Sequence, residues 1–210
     1  MQLPLCLPEH QDRLIAGVDE AGRGPLAGAV FAAAVIPDPN RPVHGVTDSK
    51  KLTAEQREDL YLQITESSLC YAIASASVAE IDDINILQAS LLAMHRAVQR
   101  LSTKPEFIYV DGLYCPRWRF ASLALVKGDS RISAIAAASI LAKVSRDREM
   151  IKLDAKYPDY GFAQHKGYPT PLHMQTLQKF GPCGIHRKSF KPVADWEQFS
   201  TIEVLTVQTD

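Results

Sequence analysis

Three short apolar segments of this chain each lead into an aspartate, and this arrangement constrains the fold more than any other feature. The segments are residues 14–18, 107–110 and 122–126, and the aspartates are Asp19, Asp111 and Asp129. Short apolar runs bounded by turn residues are typical of strands buried in a sheet. A carboxylate at the end of such a strand loses solvation, so it requires a cation, an arginine or a helix N-terminus beside it.

The segments between these runs carry helix signals. Helices are predicted over residues 53–67, 86–101, 130–155 and 170–180. Thr53 and Gln56 match a capping box at the start of the first helix, and Asn85 is the expected N-cap of the second. Strand-like runs occur at residues 28–36 and 69–78, and the first of these should form a hairpin with residues 14–18. The alternation predicts an α/β sandwich: a central sheet flanked by helices, with a C-terminal helical region.

Acidic residues on several strand ends of one sheet can converge on a single point. Three or four carboxylates are the oxygen ligands that suit Mg²⁺ or Mn²⁺, and two such ions can clamp the oxygens of a phosphoryl displacement. Gly22-Arg23-Gly24 is too short for a dinucleotide-binding motif, and the sequence has no Walker loop or Ser-His-Asp pattern. The pattern therefore favours metal-dependent phosphoryl chemistry.

Each acidic residue also has a structural interpretation. Asp129 precedes a predicted helix and could be its N-cap, and Asp111 precedes Gly112 and could form a turn. Asp19 and Glu20 are adjacent, and successive strand residues point to opposite faces of a sheet. We therefore expect the strand to bend at Glu20, which would let this residue reach a metal through its side chain, its carbonyl or a water molecule.

The small net charge of −1 conceals an uneven distribution. Residues 117–191 hold 14 Lys and Arg against 5 Asp and Glu, whereas the rest of the chain holds 9 against 19. A basic half is typical of a surface that binds a polyanion, although a solvated surface without a partner gives the same count.

Cysteine spacing and hydropathy predict a cytoplasmic protein. Cys6, Cys70, Cys115 and Cys183 have no zinc-type spacing, and we expect four reduced thiols. No run is long enough to cross a membrane, and residues 1–11 lack the features of a secretion signal.

Nine short motifs occur in order between about residue 14 and residue 192. They are GVDEAGRGP at 17–25, DSKK at 48–51, YVDG at 109–112, KGD at 127–129, AAASILAKV at 136–144, RDR at 146–148, GF at 161–162, HKGYPT at 165–170 and HRKSF at 186–190. Together they resemble the type 2 ribonucleases H, the ribonuclease HII family. The resemblance implies a ribonuclease H-like fold with a mixed central sheet. It also implies that Asp19, Glu20, Asp111 and Asp129 bind two divalent ions, with Asp19 bridging both.

The resemblance further implies how nucleic acid is bound. Gly22, Arg23 and Gly24 would lie in the minor groove and sense ribose 2′-hydroxyls through backbone groups, for which glycine permits a close approach. Tyr168 would stack on the deoxyribose next to the ribonucleotide, although from the residues alone it is a loop residue packed under Pro169.

Four further residues are candidate phosphate contacts. They are Lys50, Ser139, Lys143 and Arg146. The last three are spaced to share one face of a helix, and a solvated helix face is the alternative interpretation.

The expected activity is hydrolysis on the 5′ side of a ribonucleotide by an activated water, leaving 3′-hydroxyl and 5′-phosphate ends. The substrates would be RNA–DNA hybrids and duplex DNA with embedded ribonucleotides, and we expect a monomer without an obligate protein partner. The expected organisation is an extension at residues 1–13, a catalytic core at 14–157, a region at 158–192 that completes the cleft, and a tail at 193–210.

Two other functions remain open from the sequence. Another nuclease on this fold, such as a junction resolvase or an integrase-like enzyme, would use a similar acidic cluster. A non-catalytic nucleic-acid-binding module would account for the basic half, but it would leave the acidic cluster unexplained because carboxylates repel phosphate.

Overall fold

A five-stranded mixed sheet is the centre of this computed structural model, which describes residues 3–7, 10, 13–47 and 49–196. The strands are β1 (Ile15–Ala21), β2 (Val30–Ile36), β3 (Cys70–Ala76), β4 (Phe107–Asp111) and β5 (Ser122–Leu125). Their spatial order is β3-β2-β1-β4-β5. The predicted hairpin is confirmed, because β1 pairs with β2 in antiparallel fashion, and β2 pairs with β3 in the same way. β1 also pairs with β4, and β4 with β5, in parallel, so the acidic ends of β1 and β4 lie side by side.

Helices cover both faces of the sheet. They are α1 (Ala54–Ser67), α2 (Val78–Gln99), α3 (Ser133–Lys156), α4 (Phe162–His165) and α5 (Pro171–Phe180). Alternate residues of β2 divide between the two sides: Ala32 and Ala34 pack in the cluster with α2, while Ala33 and Val35 pack in the cluster with α1 and α3. This period of two is what a strand buried on both faces requires.

Both predicted helix caps are confirmed. The Thr53 side chain accepts from the Gln56 N–H and the Gln56 side chain accepts from the Thr53 N–H, which completes the capping box of α1. The Asn85 Oδ1 accepts from the N–H groups of Leu87 and Gln88. Asn85 has φ 66° and interrupts α2, which begins seven residues earlier, at Val78, behind a second capping box of Ser77 and Glu80. The first part of α2 lies outside the helix predicted at 86–101.

Three local predictions differ from the structure. β1 continues in register to Ala21, opposite Phe31, so the strand does not bend at Glu20. The single turn of α4 lies between the predicted helices at 130–155 and 170–180, where no helix is predicted. Asp129 does not cap α3, because it lies in a 3₁₀ turn at Gly128–Ser130, and the N-cap of α3 is Ile132 without a side-chain cap bond.

The C-terminal region packs directly against the segment that follows β1. Ala27 forms an antiparallel bridge with His186. The helical turn at 191–196 ends the described part, so most of the tail expected at 193–210 lies outside the described residues, as does much of the expected extension at 1–13. None of the helices in the described residues is long and apolar enough to span a membrane.

Gly17 in β1 provides a test of how tightly the sheet and α3 are packed. A Cβ at this position would overlap the backbone of Ala134, which cannot move without displacing α3. Gly17→Ala should therefore lower the free energy of unfolding by about 3 kcal/mol, measured by urea denaturation. Gly184→Ala is the control: it is exposed, its Cβ would lie 3.3 Å from the Tyr157 Oη at the far end of a side chain, and it should cost less than about 1 kcal/mol. Equal effects of the two substitutions would contradict this account of the packing.

Candidate active site

A pocket of about 240 Å³ lies at the acidic ends of β1 and β4. It is lined by Asp19, Glu20, Ala21, Gly22, Arg23, Gly24, Ser49, Lys50, Asp111, Asp129, Ser139, Lys143 and Tyr168. The fold thus brings together all four predicted acidic residues and every predicted nucleic-acid contact except Arg146. A larger cavity, about 330 Å³, contains none of these residues and is lined mainly by the 37–46 segment and by α1.

Asp19 is the most deeply buried of the acidic residues, with 5% of its surface exposed. Its Oδ1 accepts from the Glu20 N–H at 2.7 Å, and the Ser139 hydroxyl of α3 also bonds to the carboxylate. The pKa of Asp19 is raised well above its usual range by burial, and the nearby Glu20 and Asp111 carboxylates raise it further. An additional positive charge would therefore stabilise this site.

Glu20 has one bonded oxygen and one unsatisfied oxygen. Its Oε1 accepts from the Arg23 guanidinium at 3.2 Å, whereas Oε2 is buried and has no hydrogen-bond partner among the described residues. Burial raises the pKa of Glu20, an effect that Arg23 opposes and Asp111 reinforces. A buried oxygen without a partner is destabilising unless a ligand occupies the space beside it.

The other two acidic residues come from β4 and from the turn before α3. The Asp111 Oδ1 accepts from the Gly128 N–H at 2.7 Å, which ties the end of β4 to the turn that carries Asp129. Asp129 is 8% exposed. This hydrogen bond holds the two segments that carry Asp111 and Asp129 together. It is neither a helix cap by Asp129 nor a turn between Asp111 and Gly112.

The chemistry of this donor set fits a hard divalent cation. Four carboxylates and the unsatisfied Glu20 Oε2 supply oxygen ligands of the type that Mg²⁺ and Mn²⁺ prefer. In the described part of the chain, no three acidic, histidine or cysteine side chains already surround one point at ligand spacing.

The neutral and basic residues of the pocket lie on the sides of this cluster. Ser139 bonds to Ser49 at 2.8 Å, and Lys143 pairs with Asp147 at 2.7 Å. Tyr168 is 40% exposed, and a Cβ added at Gly24 would lie 3.7 Å from its ring. Lys50 is exposed at the rim.

Arg146 is placed differently from the prediction. Its side chain is 1% exposed and donates to the carbonyls of Ala27, Ala29 and Lys166 at 3.0–3.3 Å. A phosphate contact is inconsistent with this burial. Helical spacing predicts the face that Arg146 shares with Ser139 and Lys143, but it does not show whether a neighbouring segment covers that part of α3.

The ribonuclease HII family model matches residues 16–193, which is most of the chain and includes all four acidic residues of the pocket. The chain belongs to the ribonuclease HII family. It is therefore a ribonuclease H, a nuclease that hydrolyses the RNA strand of RNA–DNA hybrids.

Solved structures agree with this assignment. The ribonuclease H2 of Pyrococcus horikoshii OT3 is 31% identical, with a TM-score of 0.74 over 88% of this chain and 97% of that chain. The ribonuclease HII of Archaeoglobus fulgidus, solved in a complex with PCNA, is 29% identical, with a TM-score of 0.72 over 84% of this chain and 95% of that chain. Bst ribonuclease HIII in complex with Mn²⁺ is 19% identical, with a TM-score of 0.71 over 95% of this chain and 74% of that chain, and this likeness shows the fold alone.

One residue that contacts the pocket's backbone was not identified from the sequence. Arg187 lies in the HRKSF motif and is fully buried, and it donates to the carbonyls of Gly22, Arg23 and Gly28. The only sequence signal for Arg187 was its position in the HRKSF motif, to which no function was assigned.

The burial of Asp19 generates a test on the metal-free ribonuclease H. The pKa of Asp19 is higher in the folded chain than in the unfolded chain, so at pH values between these two pKa values the folded state binds more protons. The free energy of unfolding therefore falls as the pH rises through that interval. Asp19→Asn removes the buried charge but keeps an oxygen for the Glu20 N–H. It should raise stability in EDTA at neutral pH by on the order of 1 kcal/mol and flatten the pH dependence.

Asp83→Asn, at an exposed position of α2, is the matched control for this denaturation experiment and should leave the stability almost unchanged. If Asp19→Asn instead lowered stability at pH values above the folded pKa of Asp19, the Asp19 carboxylate would not be destabilising the metal-free fold.

Proposed function

We propose that this ribonuclease H cuts RNA–DNA hybrids and also cuts duplex DNA on the 5′ side of embedded ribonucleotides, leaving 3′-hydroxyl and 5′-phosphate ends. Its role would be the removal of ribonucleotides during DNA replication and repair. The observation that carries the proposal is the composition of one pocket: four carboxylates lie beside Gly22–Gly24 and Tyr168. The pocket thus combines a candidate reaction centre with a candidate sensor of the sugar.

Asp19, Glu20, Asp111 and Asp129 would hold two Mg²⁺ or Mn²⁺ ions. Bound ions would supply Lewis acidity toward the phosphate and an activated water. The unsatisfied Glu20 Oε2 and the raised pKa of Asp19 support a cation here.

The surrounding residues would orient this acidic cluster and the substrate. Ser139 and the Glu20 N–H fix the Asp19 carboxylate, and Arg23 holds one oxygen of Glu20. Lys50 and Lys143 lie at the pocket, where they would offset the charge of the scissile strand. Lys143 would exchange its ion pair with Asp147 for a phosphate oxygen.

The glycine loop, residues 22–28, would read the ribose. Glycines at its start let the backbone approach the minor groove closely, where the 2′-hydroxyl distinguishes RNA from DNA. Tyr168 faces this loop and is exposed enough to stack on the neighbouring deoxyribose. This arrangement favours a junction of RNA and DNA over uniform RNA.

We also infer a cytoplasmic monomer, with residues 158–192 completing the substrate cleft. The backbone contacts between the glycine loop and residues 167 and 185–187 support this division of the chain. The PCNA complex of the Archaeoglobus fulgidus relative makes a DNA clamp the first partner to test against the tail at 193–210. Sedimentation of the protein alone measures the oligomeric state.

The catalytic assignment is tested by Asp111→Asn on a DNA duplex that carries one ribonucleotide, with Mg²⁺ or Mn²⁺. The amide keeps an oxygen for the Gly128 N–H but removes the charge, so kcat should fall by on the order of 10³-fold or more, with little change in melting temperature. Asp154→Asn, near the end of α3 and outside the pocket lining, keeps an oxygen for the Ala163 N–H and should cut at the wild-type rate. Undiminished cleavage by Asp111→Asn would refute the assignment of this residue.

Parallel duplexes with zero, one and four ribonucleotides test substrate choice. Cleavage should require at least one ribonucleotide. Cleavage of an all-DNA junction would instead support a resolvase-like nuclease.

The stacking assignment is tested by Tyr168→Ala and Tyr168→Phe on the same duplexes. Loss of the ring should lower kcat/KM at a single ribonucleotide about tenfold and leave the dependence on Mn²⁺ concentration unchanged, whereas Phe keeps the ring and most of the activity. A parallel change in the metal dependence, or no change in kcat/KM, would show that Tyr168 does not stack on the substrate.

A further inference from the structure

The glycine loop takes its shape from distant parts of the chain. The Leu26 N–H donates to the Gly167 carbonyl at 2.8 Å, and the Gly28 N–H donates to the Ile185 carbonyl at 2.9 Å. In return, the Leu26 carbonyl accepts from the Arg187 N–H at 2.8 Å. The second half of the loop is therefore held as an added strand-like segment, while the first half has no such backbone partners among the described residues.

Arg187 holds the first half of the glycine loop. Its guanidinium donates to the carbonyls of Gly22 at 2.6 Å, Arg23 at 2.9 Å and Gly28 at 2.9 Å, and the side chain is fully buried. Burial lowers the pKa of Arg187 to about 9, as does the nearby Arg146 charge, so the guanidinium remains protonated at neutral pH. The single planar guanidinium of Arg187 thus connects both ends of the loop.

Fixing two carbonyls also fixes the two N–H groups that follow them. A trans peptide unit is planar, and its N–H points opposite to its carbonyl. The structure has no cis peptide bond among the described residues, so the Gly22 and Arg23 carbonyls set the directions of the Arg23 and Gly24 N–H groups. These two N–H groups donate to no atom of the described residues, and their residues line the pocket.

We propose that Arg187 is a positioning residue for ribose recognition, because it directs the Arg23 and Gly24 N–H groups away from the interior and toward the sugar of the substrate. The inference rests on the proposed function of the glycine loop.

Arg146 also contacts the glycine loop. A Cβ at Gly22 would overlap the Arg146 side chain, whose guanidinium also bonds to the Lys166 carbonyl and lies 5.9 Å from the centre of the Tyr168 ring. Arg146 thus links the glycine loop to Tyr168.

Arg187→Lys tests the proposal, since lysine keeps the charge but cannot serve three carbonyls at fixed angles. The measurement is the affinity for two matched DNA duplexes, one with a single ribonucleotide and one without, by fluorescence anisotropy with Ca²⁺ in place of Mg²⁺. The wild-type protein should prefer the ribonucleotide duplex. In the Arg187→Lys variant this preference should fall about tenfold, the effect of losing one or two hydrogen bonds.

The ratio of the two affinities separates positioning from folding. Partial unfolding lowers the amount of active protein equally for both duplexes and leaves the ratio unchanged. Arg96→Lys is the matched control: its guanidinium bonds to the Ser75 carbonyl and to Glu80, remote from the pocket lining, and its ratio should equal that of the wild type.

A milder variant covers the case in which Arg187→Lys does not fold. Asp82 accepts from the N–H groups of Lys188 and Ser189, so Asp82→Ala loosens the segment that carries Arg187 without entering the core. It should lower the ratio by about threefold. An unchanged ratio in whichever of these variants folds overturns the proposal, whereas a wild-type protein without any preference refutes ribose sensing by the loop itself.

Discussion

Asp19 and Glu20 are buried next to each other at the end of β1, and the placement of these two charges in a low-dielectric pocket is the constraint on which the surrounding structure depends. Burial and neighbouring carboxylates raise the pKa of both residues. The protein itself offsets this only in part, through Ser139 and Arg23. Under the proposed function, the remaining imbalance would provide the affinity for a cation at the expense of the stability of the metal-free fold. Stability is commonly lost in this way at functional sites.

The rigid sheet is what keeps this destabilising cluster in place. β1 is bonded on both sides, by β2 and β4, and its Gly17 lets α3 approach the strand directly. The same helix brings Ser139 to Asp19, and the bond from Gly128 to Asp111 fixes the start of that helix against β4. The packing of small residues between sheet and helix therefore determines the geometry of the acidic side chains.

The C-terminal region has a second role in this arrangement. Arg146 and Arg187 are buried without a bonded carboxylate and donate to backbone carbonyls around the glycine loop. Buried guanidinium groups are tolerated when several acceptors surround them, and carbonyls leave a net positive charge in place. That charge lies beside the acidic pocket, so part of the basic half is buried in the interior, whereas the sequence suggested only a basic surface.

The sequence alone determined features that depend on neighbouring residues or on the direction of strands in one sheet. They are the capping box at Thr53 and Gln56, the cap at Asn85, the β1–β2 hairpin and the convergence of four acidic residues. The straight path of β1 through Glu20 and the 3₁₀ turn that contains Asp129 were not predicted, because packing in the folded chain decides them. The first part of α2 was also missed, although the Ser77 and Glu80 capping box is a local signal for it. The burial of Arg146 and the contacts of Arg187 with Gly22 and Arg23 depend on residues more than a hundred positions apart. Only the tertiary structure decides such contacts, because sequence spacing carries no information about which distant segment will cover a side chain.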